Sequence, residues 1–528
     1  SYTSREEESR VPSHFLGSRP PIERGGTAAP ARTDRATGPS TGQGRVPPVT
    51  IYQLTEAPQP IERLRGMQDT PPALHRRRQA VLRRIARVLE RHGYEFIETP
   101  ILESTELFLR KSGPERIAQL YAFSFRNRDI ALRPEHTASI LRYYVESRQN
   151  DPLPLRFAYA GPVFRYERPQ AGRTRQFTEI GGELLGAPGP SGDAEVIHLA
   201  AEILEAVGIV PRIVIGHVGI VLDYLAHLPL RQRARDWLLW SMERLRKGQT
   251  IDIESELPAF VDSTDIVQIT QEVRTKLALT TEDLERLILA LLREVGVPMT
   301  GASRQPEEIV RGVLAKLQRS ADPDALRQAL AFARELASLS GPPDDVLSAL
   351  RRIVERYGLG PAPLQQIDEV LDQLAAYGLE TDRIVLAPGM ARGLHYYTGI
   401  LFEMYSQTDE GLQLCGGGRY DDLAQLLGAR QPLPACGFAG GLERIADASA
   451  LQPKTEPRLL VTAADRSAIA AATRFAEQLR ASGAIVELDV RQRSLSSNRR
   501  YARRRGVTEI LIVDATGSVR RIDLSTEE

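Results

Sequence analysis

Residues 164–183 read FRYERPQAGRTRQFTEIGGE, with arginines at 165, 168, 173 and 175 and glutamates at 167, 179 and 183 among aromatic, Gly and Pro residues. The preceding LRFAYAGPVF has the apolar face of a strand, QAG reads as a turn, and the segment from Arg173 onward reads as a return strand. On that reading Arg165 and Glu167 are two residues apart and project from one face, a cation beside a carboxylate. Arginine suits bidentate contact with phosphate, and a carboxylate accepts from an amino or ammonium group. An exposed salt-bridge ladder would use the same residues, so the stretch alone leaves both readings open.

Upstream, RGMQDTPPALHRRRQAVLRRIARVLERHGYEFIETP places Val81, Ile85 and Val88 or Leu89 at helical spacing, with Gly93 as C-terminal cap and Tyr94 to Thr99 as a short strand. Its arginines 83, 84, 87 and 91 read as a solvated face rather than a nucleic-acid surface. RDIALRPEHTASILRYYVES reads as a strand running into a helix. From about 222 to 382 the pattern turns helical, with a capping box from Thr280 to Asp283 and an apolar face at Ile367, Leu371 and Leu374 before Gly378. No polar cluster there suggests chemistry, and the block reads as a helical insertion. Strands resume with GLHYYTGILFEMY, the corner CGGGRYDDL, and ACGFAGGLERIADA, a strand entering a helix.

The whole chain frames this. Its 528 residues exceed one compact domain and imply roughly two to four. Hydrophobic content of 42% and charged content of 26% are ordinary for a soluble globular protein. A formal charge of +0 means that any nucleic-acid or anionic-membrane contact must come from a local patch. The two cysteines, Cys415 and Cys436, form no CxxC or Cys/His cluster, which argues against a disulfide framework or a metal site and fits a reducing cytoplasm. No run of about 18 apolar residues predicts a membrane span. Residues 1–60, rich in Pro, Gly, Ser, Thr and Arg, are expected to be a disordered extension.

After the linker LQPKTEPR, residues 457–528 alternate strand and helix, which predicts a small α/β domain with a largely parallel sheet. Within it Arg491, Arg493, Arg499, Arg500, Arg503, Arg504 and Arg505 have no acidic residue among them. Such a patch neutralises phosphates, with Tyr501 placed to stack on an unpaired base, or it is a solvated helix face.

FRYERPQ with GRTRQFTEIGGE resembles the second signature motif of class II aminoacyl-tRNA synthetases, in the form found in histidyl-tRNA synthetases. RGMQD…TP is similar to the first motif region, LRPEHT to the amino-acid-binding segment, and GFAGGLERI to the third motif. ARGLHYYTGILFE followed by GGGRYDDL resembles the block most particular to the histidine branch. The resemblance runs over roughly residues 62–525, apart from much of the insertion.

It implies an α+β core over 61–453, an antiparallel sheet flanked by helices, with an anticodon-binding-like domain after it and a homodimer joined through the first motif. It implies ATP, Mg²⁺, histidine and tRNA as ligands. Arg165 would hold the α-phosphate, with Glu167 near the adenine, Arg173 in the ATP site and Arg444 at the γ-phosphate. Glu135 and Thr137 would take the substrate ammonium, Glu183 with Tyr396 and Tyr397 would line the imidazole pocket, and Arg392 would be a second cation beside the carboxylate. Arg499, Arg500, Arg503 and Arg504 would contact tRNA.

Three positions depart from the family pattern: Glu179 stands where Gln is usual, His136 where Gly is, and His395 where Asp is. Glu179 would bring a negative charge toward the substrate carboxylate unless protonated or paired, with Arg173, Arg175 and Arg392 the nearest candidates. The departures keep a second reading open. The regulatory subunit of ATP phosphoribosyltransferase is a non-charging relative that partners that enzyme's catalytic subunit, and IVIGHVGIVLDYL, residues 213–225, is similar to part of it.

Overall fold

The computed structural model describes residues 60–110, 119–167, 174–230, 232–252, 280, 283, 286, 323–391, 396–407, 411–453 and 456–524. Residues 63–528 form one compact unit, and residues 60–62, the described part of 1–62, carry no helix or strand. The expected disordered extension, apart from residue 60, lies outside the described residues.

The core is an eight-stranded sheet in the order β1 (Glu95–Phe96), β5 (Leu155–Phe164), β6 (Gln176–Leu185), β11 (Ala435–Gly441), β10 (Gln413–Arg419), β9 (Ile400–Ser406), β7 (Pro211–His217), β8 (Ile384–Leu386). Its centre is antiparallel throughout, and only the flanking pairs β1–β5 and β7–β8 run parallel. Strand alternation feeds two cores. Ala158, Ile180 and Leu184 pack with Val81, Ile85, Val88 and Leu89 of the helix Pro72–Arg91 and with the helices Pro190–Glu205 and Leu442–Ala448. Phe157, Tyr159 and Leu185 face the other way, against Ile140 and Leu141 of the helix Thr137–Ser147.

A smaller sheet, β2 (Leu102–Ser104), β4 (Arg128–Leu132), β3 (Ala122–Phe125), stands beside the core. Glu103 and Ala131 turn inward, while Leu102, Ile130, Phe123 and Phe125 share the opposite face.

Arg419, the last residue of β10, is buried and bound on every side. It donates to Asp193 at 3.0 Å, Asp421 at 3.0 Å, Ala187 O at 3.0 Å and Gly189 O at 2.8 Å. This ties the Gly-rich corner to the start of the helix Pro190–Glu205. Gly93 has φ +76°, as its capping role requires. In the insertion, Thr280 N donates to Asp283 Oδ2 at 3.0 Å and Asp283 N to Thr280 Oγ1 at 3.2 Å, which is the capping box read from the sequence.

The C-terminal domain is a four-stranded sheet in the order β13 (Ile485–Leu488), β12 (Arg458–Ala463), β14 (Glu509–Val513), β15 (Val519–Asp523). The first three run parallel, and β15, which the sequence reading did not single out, closes the edge antiparallel. The helices Ile469–Ala481 and Leu495–Arg505 cover opposite faces. No helix among the described residues is long and apolar enough to cross a membrane.

Candidate active site

β6 and the glycine-rich strands β10 and β11 floor a cavity of about 870 Å³. Glu135, Thr137, Arg165, Glu167, Glu179, Glu183, Tyr396, Tyr397 and Arg444 all line it, so residues expected from four separate motifs converge. Arg173, Arg392 and His395 lie outside the described residues.

Glu183 sits at the buried end. Its carboxylate accepts from the Thr137 hydroxyl at 2.7 Å, from Tyr159 at 3.3 Å and, closely, from Tyr420. Burial pushes its pKa up to about 8, with Glu135 and Glu179 adding to the rise and the Tyr420 and Thr137 hydrogen bonds opposing it. Gly437 pairs directly across the sheet from Glu183, and a Cβ there would collide with Glu183 Oε2. Glycine at 437 is therefore what lets the carboxylate lie against the strand.

Glu179 lies four residues back on the same face of β6. Oε1 accepts from Arg165 Nη2 at 3.0 Å, and Oε2 accepts from the backbone N of His136 at 3.0 Å and faces its Nδ1 at 3.1 Å. Burial alone would raise this pKa, but the His136 hydrogen bonds and the Arg165 guanidinium outweigh it and hold the group below the usual carboxylate value. Among the described residues Glu179 is thus paired with Arg165 and His136, and Arg175, one of the three candidates, does not reach it. The Arg175 guanidinium instead donates to Arg65 O at 2.9 Å and Glu167 O at 3.3 Å and lies 4.0 Å from the Tyr166 ring centroid, pinning the entry segment at Gly66.

The strand reading of Arg165 and Glu167 needs correction. β5 ends at Phe164, and Glu167 N bonds back to Arg165 O at 2.9 Å, so the chain turns before strand alternation could set the two side chains on one face. Both reach the cavity from this turn. Arg444 enters from the helix Leu442–Ala448, one N–H donating to Gln413 O at 3.2 Å. Glu443 beside it accepts from Thr178 N, at 3.0 Å on one oxygen and 3.1 Å on the other.

Sequence reasoning missed Tyr159, Tyr420 and Lys247. Strand alternation places Tyr159 on the face of Glu179 and Glu183, a signal that was available. Tyr420 had only its place after GGGR, since its target is 237 residues away. Lys247 reaches the cavity from the end of a helix in the insertion, which had shown no polar cluster.

In the C-terminal domain Arg500, Arg503, Arg504 and Arg505 are exposed and Arg499 is half-buried. Tyr501 is not an open stacking platform: Arg493 Cζ lies 4.2 Å from its ring centroid and its hydroxyl donates to Glu487 at 2.5 Å. Acids absent from the arginine run come from β13 and the segment after it: Asp489 pairs with Arg493 at 2.7 Å and Glu487 with Arg505 at 3.6 Å. Among the described residues one group has donor atoms close enough to share a metal ion, His92, His198 and Glu202. Its carboxylate already accepts from Arg91 at 2.9 Å and meets His92 at 2.7 Å, so the protein itself satisfies it.

The solved structures similar to this chain show the same class of fold. They include an ATP phosphoribosyltransferase regulatory subunit/histidyl-tRNA synthetase from Bacillus halodurans, 21% identical, covering 87% of this chain and 99% of its own, with a TM-score of 0.60. Histidyl-tRNA synthetase from Nostoc sp. is 20% identical, covers 88% and 97%, and has a TM-score of 0.59. In sequence, the histidine–tRNA ligase of Archaeoglobus fulgidus is 33% identical over 477 residues, 89% of this chain and 96% of that one. That of Methanocaldococcus jannaschii is 31% identical over 456 residues, 86% and 92%. The family profile described as Histidyl-tRNA synthetase matches residues 66–250 and 262–445. The chain belongs to the histidyl-tRNA synthetase family, in class II.

Proposed function

We propose that the cavity binds histidine and ATP, joins them as the aminoacyl adenylate, and that the chain passes the histidyl group to tRNA. One observation carries this: a single cavity is lined by both the amino-acid set, Glu135, Thr137, Glu183 and Tyr397, and the nucleotide set, Arg165, Glu167 and Arg444. Glu135 accepts from the substrate ammonium. Thr137 spends its proton on Glu183 and keeps its lone pairs for the same ammonium. Glu183 and Tyr397 take the imidazole. Arg165 meets the α-phosphate, Glu167 the adenine and Arg444 the γ-phosphate, with Arg173 and Arg392 completing the cations.

The attacking carboxylate is ionised at neutral pH, so no general base is needed. Holding it against the α-phosphorus and countering the charge that builds on phosphate oxygens is what fixed cations do, each well-placed group contributing on the order of 3 kcal/mol. Asp447, at the cavity wall one helical turn from the Thr178-bound Glu443, is a hard oxygen donor suited to Mg²⁺, which would shield the departing pyrophosphate.

The test is histidine-dependent exchange of pyrophosphate into ATP, run beside the other standard amino acids. Exchange with histidine alone is expected. Silence with every amino acid, together with co-purification of a phosphoribosyltransferase, would favour the regulatory-subunit reading.

A further inference from the structure

Resting on the reading that ATP occupies this cavity, we infer that His136 and Glu179 are one positioning unit for Arg165. Glu179 fixes the guanidinium and His136 fixes Glu179. The two positions depart from the family pattern separately in sequence, 43 residues apart, yet they are hydrogen-bonded to each other. They form a single feature.

The logic lies in donors and acceptors. Arg165 is held at Nη2 by Glu179 Oε1 and at Nε by Pro134 O at 2.8 Å, with Cζ 5.0 Å from the Phe177 ring centroid. Its orientation in the cavity wall is set by these contacts. Glu179 meets two groups that can only donate, this guanidinium and the backbone N–H of His136. Only a carboxylate, accepting on both oxygens, satisfies both. An amide at 179 turns an NH₂ toward one of them and releases either the helix start or Arg165.

The His136 imidazole is clamped behind Glu179. It stacks on Tyr159 with ring centroids 4.4 Å apart and planes at 18°. It also backs onto Gly161, where a Cβ would lie 3.1 Å from Nε2 and 2.5 Å from Arg133 Nη2. His136 is buried and is not among the residues lining the cavity. It therefore acts on a ligand through Glu179, its Nδ1–H donating to Oε2 beside the backbone N–H.

The experiment compares the full chain with Glu179→Gln, His136→Ala, His136→Asn and the double variant His136→Ala/Glu179→Gln, in pyrophosphate exchange and in calorimetric titration with ATP. Glu179→Gln should raise the ATP KM about 10-fold or more and lower kcat, while the histidine KM stays within about twofold. His136→Ala should move the same quantities less, and His136→Asn, whose amide nitrogen replaces the Nδ1 donor, should recover most of that loss. The double variant should be no worse than Glu179→Gln alone, because His136 works through that carboxylate. A Glu179→Gln enzyme that loses histidine affinity and keeps its ATP KM overturns the inference, as does a double variant showing the product of the single losses. If the wild type binds ATP but shows no exchange, the proposed activity fails on its own. The ATP affinities then decide the inference, and equal values for wild type and Glu179→Gln overturn it. A wild type that binds no ATP overturns both.

Discussion

Glu179 and Glu183 are two buried carboxylates on one face of one strand, and their partners give them opposite character. Glu179 is held ionised by obligate donors. Glu183 is surrounded by the hydroxyls of Thr137, Tyr159 and Tyr420, which rotate to donate or accept, and burial then favours the proton. The folded-state pKa of Glu183, about 8, lies above its ordinary 4.5. The stability this group contributes is therefore fully present below the unfolded value and is lost as pH rises through the folded one. Glu183→Gln cannot ionise, and its hydroxyl partners adapt. Its unfolding free energy should accordingly fall less than that of the wild type between about pH 5 and 9, by roughly 3–5 kcal/mol. Parallel urea-denaturation profiles for the two proteins would place Glu183 back in the ordinary carboxylate range. The sequence motifs named Glu183 and Glu179 as site residues. Their protonation states depend on Tyr420 and His136, contacts made only when distant segments are brought together.

At the scale of elements, periodicity made most of the fold legible. The helix Pro72–Arg91 buries Val81, Ile85, Val88 and Leu89, as its spacing implies, and strand alternation divides β5 and β6 between two cores. What stayed hidden were contacts without local pattern, such as Arg419 reaching Asp193 across 226 residues, and the end of β5, where strand alternation stops one residue before Arg165. The helix Leu495–Arg505 shows both sides of this. Ser494 caps its start and Gly506, with φ +64°, ends it, while Glu487 and Asp489 neutralise part of an arginine run that looked wholly basic in sequence. Arg500, Arg503 and Arg504 remain exposed on it. If they meet tRNA phosphates, replacing all three with Ala should weaken tRNA binding and reduce the slope of log K against log salt by about 2–3, with adenylate formation intact. Filter binding across a salt series reads this, and an unchanged slope would make the helix a solvated face.

At the scale of the molecule, the small sheet β2–β4–β3 presents an apolar face that stays exposed among the described residues. Leu102 is 51% exposed, Phe123 48% and Phe125 52%, while the opposite face packs inward through Glu103 and Ala131. A contiguous exposed apolar face is characteristic of an interaction surface. If the chain is the homodimer its family resemblance implies, the same face of a second copy is the occupant to test. A twofold interface uses each residue twice, so one Phe per protomer that is buried on association contributes at roughly 1.5–3 kcal/mol per copy, or about 3–6 kcal/mol for the pair. Phe123→Asp should therefore raise the dimer dissociation constant at least about a hundredfold. Sedimentation equilibrium should show a wild-type dimer at micromolar concentration and a monomeric variant with an unchanged far-ultraviolet circular dichroism spectrum. A wild type that sediments as a monomer, or a Phe123→Asp variant that stays dimeric with the same dissociation constant, would show that this face is not where two copies meet.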